Sequence, residues 1–393
     1  AVVAIAMGLR YFVRDHALKE PLLSKLDEEE GEEEGEETQM ALLQHDELPF
    51  IHRSKLEVEF ERYGNFIGHG SFGVCFRGGY RGHQVAIKRL TAKAPRALEE
   101  FRLMSKFRGV ESFVQVMGIS QHEGGDLLLV MELCTHGSLK HLMESEPQEL
   151  TEETIMRFVE QIGSACEYMH SKHVVHRDLK SANMLISSRE NQLVAKISDF
   201  GDGLELLDHS KVLLSRQHGS LLWIAPEMMI TGSPKYGEID PRASDVYSIA
   251  IILWEMLHTL NVGTYRLPWP EGMEPVPGEQ SSLSSVSRFA EMVEQGARPP
   301  VDANWQPRRA VQALELAWCH DATRRLSIAR FVQRVTGRAR KGNAHHSDVD
   351  DPEEADSEAD MAEGMSVEGV KNVHLVGRIG GSGSGGGSSR GLP

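Results

Sequence analysis

The hydrophobic pattern changes character partway along the chain. Short strand-like runs come first, at Val74–Arg77, Gln84–Arg89 and Leu127–Glu132. In the second of these, alternate residues would share a face, so the strand would have two different faces. Helical patterns come later, as at Thr151–His170 and Ala243–Leu260. A helix is also predicted over Arg96–Phe107. Early strands followed by late helices point to an α+β fold. Mixed periodicities without low-complexity sequence run from Glu57 to Gly337, which marks 57–337 as one folded domain.

Outside that span, composition takes over. Residues 1–26 open AVVAIAMGLRYFVRDH, apolar through Leu9. Crossing a bilayer takes roughly 20 apolar residues, so this stretch does not cross alone. With more apolar residues upstream, Ala1–Leu9 would be the inner end of a transmembrane helix. Arg10, Arg14, Lys19 and Lys25 would then lie on the cytosolic side, as the positive-inside rule expects. A short helix packed on the domain, or a disordered end, fits the same residues. Residues 27–56 are expected to be a disordered linker, because Asp27–Glu37 holds nine acids and no base. Residues 338–393 turn acidic again and end in GGSGSGGGSS, a flexible tail.

Charge and cysteine content narrow the classes. The net charge of −16 is concentrated in Asp27–Glu37 and Asp348–Glu363, and the remaining chain is close to neutral. No basic stripe with interleaved aromatics appears, so nucleic acid is not an expected partner. Four cysteines, none in a CxxC pair, exclude a disulfide scaffold and a cysteine-based zinc site, and they fit a reducing compartment.

Candidate chemistry begins at Ile67–Cys75, IGHGSFGVC, where Gly68, Gly70 and Gly73 lie between two strand patterns. Glycines let backbone N–H groups approach phosphate oxygens closely. A dinucleotide fold needs a helix directly after such a loop, and here another strand follows. In that strand, Val85-Ala86-Ile87-Lys88, alternation puts Val85 and Ile87 on one face and Ala86 and Lys88 on the other. With a nucleotide under the second face, Ala86 contacts a flat base and Lys88 reaches phosphates. Glu99 and Glu100, in the predicted helix, are both placed to pair with a strand lysine.

Further on come HRDLKSAN at His176–Asn183, Asp199-Phe200-Gly201 and Ala225-Pro226-Glu227. Five motifs in this order and spacing, over about residues 60–336, closely resemble the eukaryotic protein kinase superfamily. The resemblance implies a bilobal kinase fold, with a small β-rich N-lobe over 57–132 and a larger helical C-lobe over 133–337. It implies ATP and Mg²⁺ as cofactors and proteins as substrates. Phosphoryl transfer needs positioning and charge neutralisation more than covalent steps. By the resemblance, Asp178 accepts the substrate proton, Lys180 neutralises the transferring phosphate, and Ser220 bridges the two. Asn183 and Asp199 are the Mg²⁺ ligands, and Lys88, paired to Glu100, holds phosphates. Ile67, the three glycines, Cys75, Ala86, Met131, Glu132, Cys134 and Leu185 surround the nucleotide. Asp245 anchors the catalytic loop, Glu227 and Arg325 form a buried pair, and His176, Phe200, Met104 and Val116 stack between the lobes.

Lys180, two residues after Asp178, follows the serine/threonine pattern, whereas HRDLKSANML, SDVYSIAIILWEML and WCHDATRRLS are tyrosine-kinase-like in style. The combination resembles the tyrosine-kinase-like group, and a serine/threonine kinase in signal transduction is expected. The alternatives are a non-catalytic scaffold of the same fold and a dual-specificity enzyme. Departures from the family pattern are Cys75 in place of Val, Met131 as gatekeeper, Asp202 after the DFG motif, Ala322 and Leu326 in place of prolines, and an insertion over Pro268–Ser287. Cys75 is expected to pack as a small apolar group. Arg177 implies regulation by phosphate on the activation segment, Asp199–Glu227, with Ser210 or Ser215 as acceptor for an upstream activating kinase. Ser347 and Ser357 suit an acid-directed kinase. The kinase domain is expected in the cytoplasm, with membrane anchorage depending on sequence upstream of Ala1.

Overall fold

The computed structural model describes residues 49–338, apart from 61, 71–72, 91–93, 123–124, 207–218, 230–239 and 270–281. Six strands form an antiparallel sheet: β1 (Leu56–Glu57), β2 (Phe66–Gly70), β3 (Gly73–Tyr80), β4 (His83–Leu90), β5 (Val116–Gln121) and β6 (Leu127–Glu132). The order is β1-β3-β4-β6-β5, with β2 also on β3. Strands β3 and β4 are joined by Arg81-Gly82, both at positive φ (51° and 78°), as a tight two-residue hairpin needs to match strand twist. Helix α1 (Ala94–Ser105) follows β4.

Alternation in β4 sorts the two faces as expected. Val85 and Ile87 join Leu128, Val130, Ile51 and Leu56 in one apolar cluster, while Leu90 belongs to the main core with Leu129 and Met131, and Ala86 packs against that core. The first cluster corrects the linker boundary. Residues 49–56, expected within the acidic linker, pack on the sheet instead: Ile51 is buried and donates its N–H to Ile119 O at 2.7 Å. The acidic run ends at Glu37, and Ile51 and Leu56, well beyond it, pack with the apolar residues of β4 and β6. A boundary drawn from charge overshoots for that reason.

The remaining helices are α2 (Leu139–Ser145), α3 (Glu152–Ser171), α4 (Arg242–Val262), α5 (Ser282–Glu294), α6 (Arg308–Ala317) and α7 (Ile328–Thr336). Thr151 caps α3, accepting from Thr154 N, and Glu152 and Glu153 in its first turn oppose the helix dipole. The central helix, α4, is buried on all sides from Ser244 to Thr259, so its sequence is apolar all round rather than striped. It ends at Gly263, whose φ of 82° terminates the last turn. Helix α3 packs on α7 at Gly163, where a Cβ would stand 2.2 Å from Val332 Cγ2.

Two short β pairs lie among the helices, neither apparent in the hydrophobic pattern: β7 (Val174–Val175) with β10 (Leu204–Glu205), and β8 (Met184–Arg189) with β9 (Gln192–Ile197). The β8–β9 turn, Glu190-Asn191, again has two positive φ angles, 50° and 64°. Main-chain bonds link the segment leading into β5 to β9, with Val114 N on Ile197 O and Ile197 N on Ser112 O, both at 2.9 Å. Of the expected insertion over Pro268–Ser287, residues 270–281 lie outside the described residues, and from Ser282 onward the chain is helical. Residues 1–48, the tail from 339, Ser210 and Ser215 also lie outside them. Among the described residues no helix is long and apolar enough to cross a membrane.

Candidate active site

The loop between β7 and β8 holds His176–Asn183, and it hangs from α4. Asp245, fully buried, accepts from His176 N at 3.1 Å and His170 Nε2 at 2.8 Å through Oδ2, and from Arg177 N at 3.0 Å through Oδ1. Burial works against the charge of Asp245, but His170, His176 and these donors outweigh it and hold the carboxyl below its ordinary range. Arg177 takes a positive φ of 63°, a costly conformation for a side-chain-bearing residue, and both flanking amides are tied down. His176 Nε2 donates to Ser198 O at 2.9 Å while Nδ1 accepts from Asp178 N at 3.3 Å, which assigns the ring proton to Nε2.

Asp178 stands at the centre. Its Oδ1 accepts from Ser220 N at 2.7 Å, and its Oδ2 accepts from Lys180 Nζ at 2.8 Å and Asn183 Nδ2 at 3.2 Å. Lys180 Nζ also donates to Ser220 Oγ at 2.7 Å, so the four residues form one network. Gly219, before Ser220, has a φ of 92°, and a Cβ there would meet Arg177 O at 2.4 Å. Asn183 Nδ2 donates to Asp178 O at 2.8 Å, and Asn183 O accepts from Ser198 N and Oγ.

Asp199 follows β9 with a φ of 63°. Lys88 Nζ, buried, sits between Asp199 Oδ1 at 2.7 Å and Glu100 Oε1 at 2.6 Å. Burial alone would push the Lys88 ammonium down, but the two carboxylates reverse this and hold it above its usual range. Burial works against Asp199 as well, and Lys88 prevails, holding that carboxyl low. Glu99 turns instead to Arg102, whose Nε is 3.2 Å away.

Around this polar centre, Met131 and Cys134 belong to the main apolar core, with Ala86 and Leu185 packed against it. In the sheet, Ala86 pairs with Met131, Cys75 with Lys88, and Gly70 with Gly73. Gly68 is also on β2, with open space where a Cβ would stand, and Ile67 beside it is exposed. Burial pushes the Cys75 thiol up to about 11, so it is neutral near pH 7, in keeping with apolar packing. Glu132 is arranged differently from a simple lining residue. Its carboxylate is taken by Lys196 Nζ at 2.8 Å and Gln115 N at 3.1 Å, so any part in nucleotide contact falls to its main chain.

His176 lies against Phe200, ring centroids 4.8 Å apart, and Met104 and Val116 share their core. Sequence reasoning missed Phe107 and Phe113, which stack with each other at 4.4 Å and sit 5.2 and 6.1 Å from Phe200. It also missed Glu255 on α4, fully buried, accepting from Ser181 Oγ at 2.8 Å, Trp223 Nε1 at 2.9 Å and Tyr265 Oη at 2.9 Å. An acid within an apolar helix, ten residues past Asp245, was the available signal. Glu227 and Arg325 form the expected buried pair, Nη2 to Oε2 at 2.7 Å.

A bilobal fold with a lysine–carboxylate pair across its cleft defines a class, and comparison with known proteins identifies the family. Residues 62–335 match the family model for protein tyrosine and serine/threonine kinases. The chain belongs to that protein kinase family. A probable serine/threonine-protein kinase of Dictyostelium discoideum is 28% identical over 288 residues, covering 71% of this chain and 28% of the relative. The serine/threonine-protein kinase STY46 of Arabidopsis thaliana is 28% identical, covering 72% of this chain and 44% of the relative. The mouse megakaryocyte-associated tyrosine-protein kinase is 30% identical, covering 62% and 48%. The chain thus spans less than half the length of each of these relatives.

Proposed function

We propose that this chain transfers the γ-phosphoryl group of ATP, with Mg²⁺, to serine and threonine hydroxyls of protein substrates in signal transduction. The observation that carries this reading is the network of Asp178, Lys180 and Ser220. It presents a carboxylate to a substrate hydroxyl and, two residues on, a cation beside it. In this reading Asp178 orients the hydroxyl and accepts its proton, and Lys180 balances charge on the transferring group. Lys88 holds phosphate oxygens, with Glu100 fixing its position.

The donor set suits Mg²⁺. Asn183 and Asp199 offer oxygen donors alone, and among the described residues no cluster of three His, Cys, Asp or Glu side chains forms a cage. Mg²⁺ is commonly held by one or two side chains with phosphate oxygens and waters completing its shell. When bound, the ion neutralises charge on the phosphate oxygens. The four cysteines are free, which supports the cytoplasm as the site of action.

The test is the full chain with Mg-ATP and a generic basic protein, beside Asp199→Ala. Phosphoserine or phosphothreonine from the first and none from the second is expected. Phosphotyrosine together with these would make the enzyme dual-specific, and phosphotyrosine alone would overturn the reading of Lys180. Nucleotide binding without transfer, even after treatment with an upstream kinase, would leave a scaffold.

A further inference from the structure

Glu205 ends β10, six residues past Asp199, and has no place in the chemistry above. Its carboxylate reaches back to the helix that carries Glu100. Oε2 accepts from Arg102 Nη2 at 2.6 Å, and Oε1 accepts from Lys106 Nζ, just past the end of α1, at 2.5 Å. Glu99 holds Arg102 from the preceding turn. The side chains of Glu205, Arg102 and Lys106 are 24–30% exposed, so water screens the cluster only in part. Partial burial works against the charge on Glu205, but Lys106 and Arg102 outweigh it and hold the carboxyl below its ordinary range.

The backbone under Glu205 is anchored to the catalytic lobe. Glu205 pairs with Val174 of β7, and Leu206 N donates to His173 O at 2.6 Å. Arg177 Nε donates to Asp202 O at 2.7 Å in the same limb. The carboxylate is therefore a fixed charge on a fixed strand, facing two cations at the C-terminal end of α1. Glu100 ties the inner face of α1 to Lys88. Arg102 and Lys106 lie two and six residues further along, so the two ties act at different heights on the helix and resist both its translation and its rotation.

We propose that Glu205 is a positioning residue: it clamps α1 to the start of the activation segment and so keeps Glu100 on Lys88 without a phosphate on that segment. A phosphate placed there by another enzyme would supply negative charge for cations of this kind. Here a side chain encoded in the chain supplies it permanently. The inference rests on the kinase reading for its kinetic consequence, but not for its structural one.

The experiment uses the full chain after exhaustive phosphatase treatment. Wild type, Glu205→Gln, Glu205→Arg and the charge-inverted Glu99→Arg/Arg102→Glu/Lys106→Glu/Glu205→Arg variant are compared. For each, kcat and KM with Mg-ATP and a basic protein, hydrogen exchange of residues 94–105, and the melting temperature are measured. Dephosphorylated wild type is expected to keep its activity and slow exchange in α1. Glu205→Gln is expected to lower kcat at least fivefold with less than a twofold change in the protein-substrate KM, and to speed exchange in α1. Glu205→Arg is expected to do more, and the inverted variant to return both within twofold of wild type. Lys106→Gln, at an exposed site, gives the weaker version of the same loss should a Glu205 variant fail to fold. Wild-type kcat and exchange in Glu205→Gln would overturn the proposal, as would an inverted variant as impaired as Glu205→Arg with a normal melt. Loss of wild-type activity on dephosphorylation would also overturn it. Absence of transfer from every sample would count against the kinase reading alone, and the exchange data would still decide the clamp.

Discussion

Replacing Glu255 by Gln makes a test of how the buried helix α4 carries charge. Burial pushes the Glu255 carboxyl up from an ordinary value of 4.5 to about 7, opposed by the donors Trp223, Ser181 and Tyr265. In the unfolded chain it ionises near 4.5. Below that pH it is protonated in both states and the native state keeps its full advantage. Between 4.5 and about 7 only the native state holds the proton, so stability falls as pH rises; above about 7 the loss is complete and constant. The gap converts, at about 1.4 kcal/mol per pKa unit, to about 3 kcal/mol. Glutamine keeps the shape. Its oxygen can accept from the indole of Trp223, and its amide can donate to the hydroxyl oxygens of Ser181 and Tyr265, which rotate to suit. Denaturant unfolding of wild type and Glu255→Gln at pH 4.5, 6, 7 and 8 should show the variant gaining about 3 kcal/mol relative to wild type across that range. Glu100, also buried and pushed up to about 7, titrates in the same window in both proteins and cancels from the difference. A difference between the two proteins that does not change with pH would refute the reasoning.

Three further outcomes are expected. Asp245→Asn leaves one oxygen to serve donors from His170, His176 and Arg177, and should destabilise the fold by about 3 kcal/mol in denaturant titration, with a kcat loss larger than any change in KM. Gly219→Ala sets a methyl against Arg177 O at positive φ, and should displace Ser220 and lower kcat by at least 100-fold while a non-hydrolysable ATP analogue still binds, as measured by calorimetry. Ile51→Ala opens the cluster over the outer sheet face and should cost about 3 kcal/mol by denaturant titration; an unchanged midpoint would return residues 49–56 to the linker.

The polar centre was legible because its residues stand in short, contiguous motifs. His176–Asn183 and Asp199–Gly201 each place their side chains within a single loop, so spacing along the chain carries the geometry. Alternation likewise sorted Val85 and Ile87 from Ala86 and Lys88. The features that escaped depend on pairs far apart in sequence. Phe107 and Phe113 meet Phe200, His170 meets Asp245, and Lys196 meets Glu132, with no local pattern to signal the encounter. The hairpin β8–β9 escaped because its apolar residues run together in sequence, Met184-Leu185-Ile186 and Leu193-Val194-Ala195, rather than alternating with polar ones; its turn, Glu-Asn, is a weaker signal than Asn-Gly. Residues 49–56 escaped because a charge run was used to place a boundary that packing decides.

Asp245 and Glu255 sit on one continuous helix, ten residues and about 15 Å apart along its axis. The first holds the loop that carries Asp178, and the second ties that loop to Trp223 near the end of the activation segment. The helix acts as a ruler with two marks. A single residue inserted between them would turn the second mark by about 100° and pull it off both partners. In descendants of this sequence, length changes should therefore accumulate at surface turns such as Glu190-Asn191, while the interval from Asp245 to Glu255 keeps its count even as the apolar residues inside it vary.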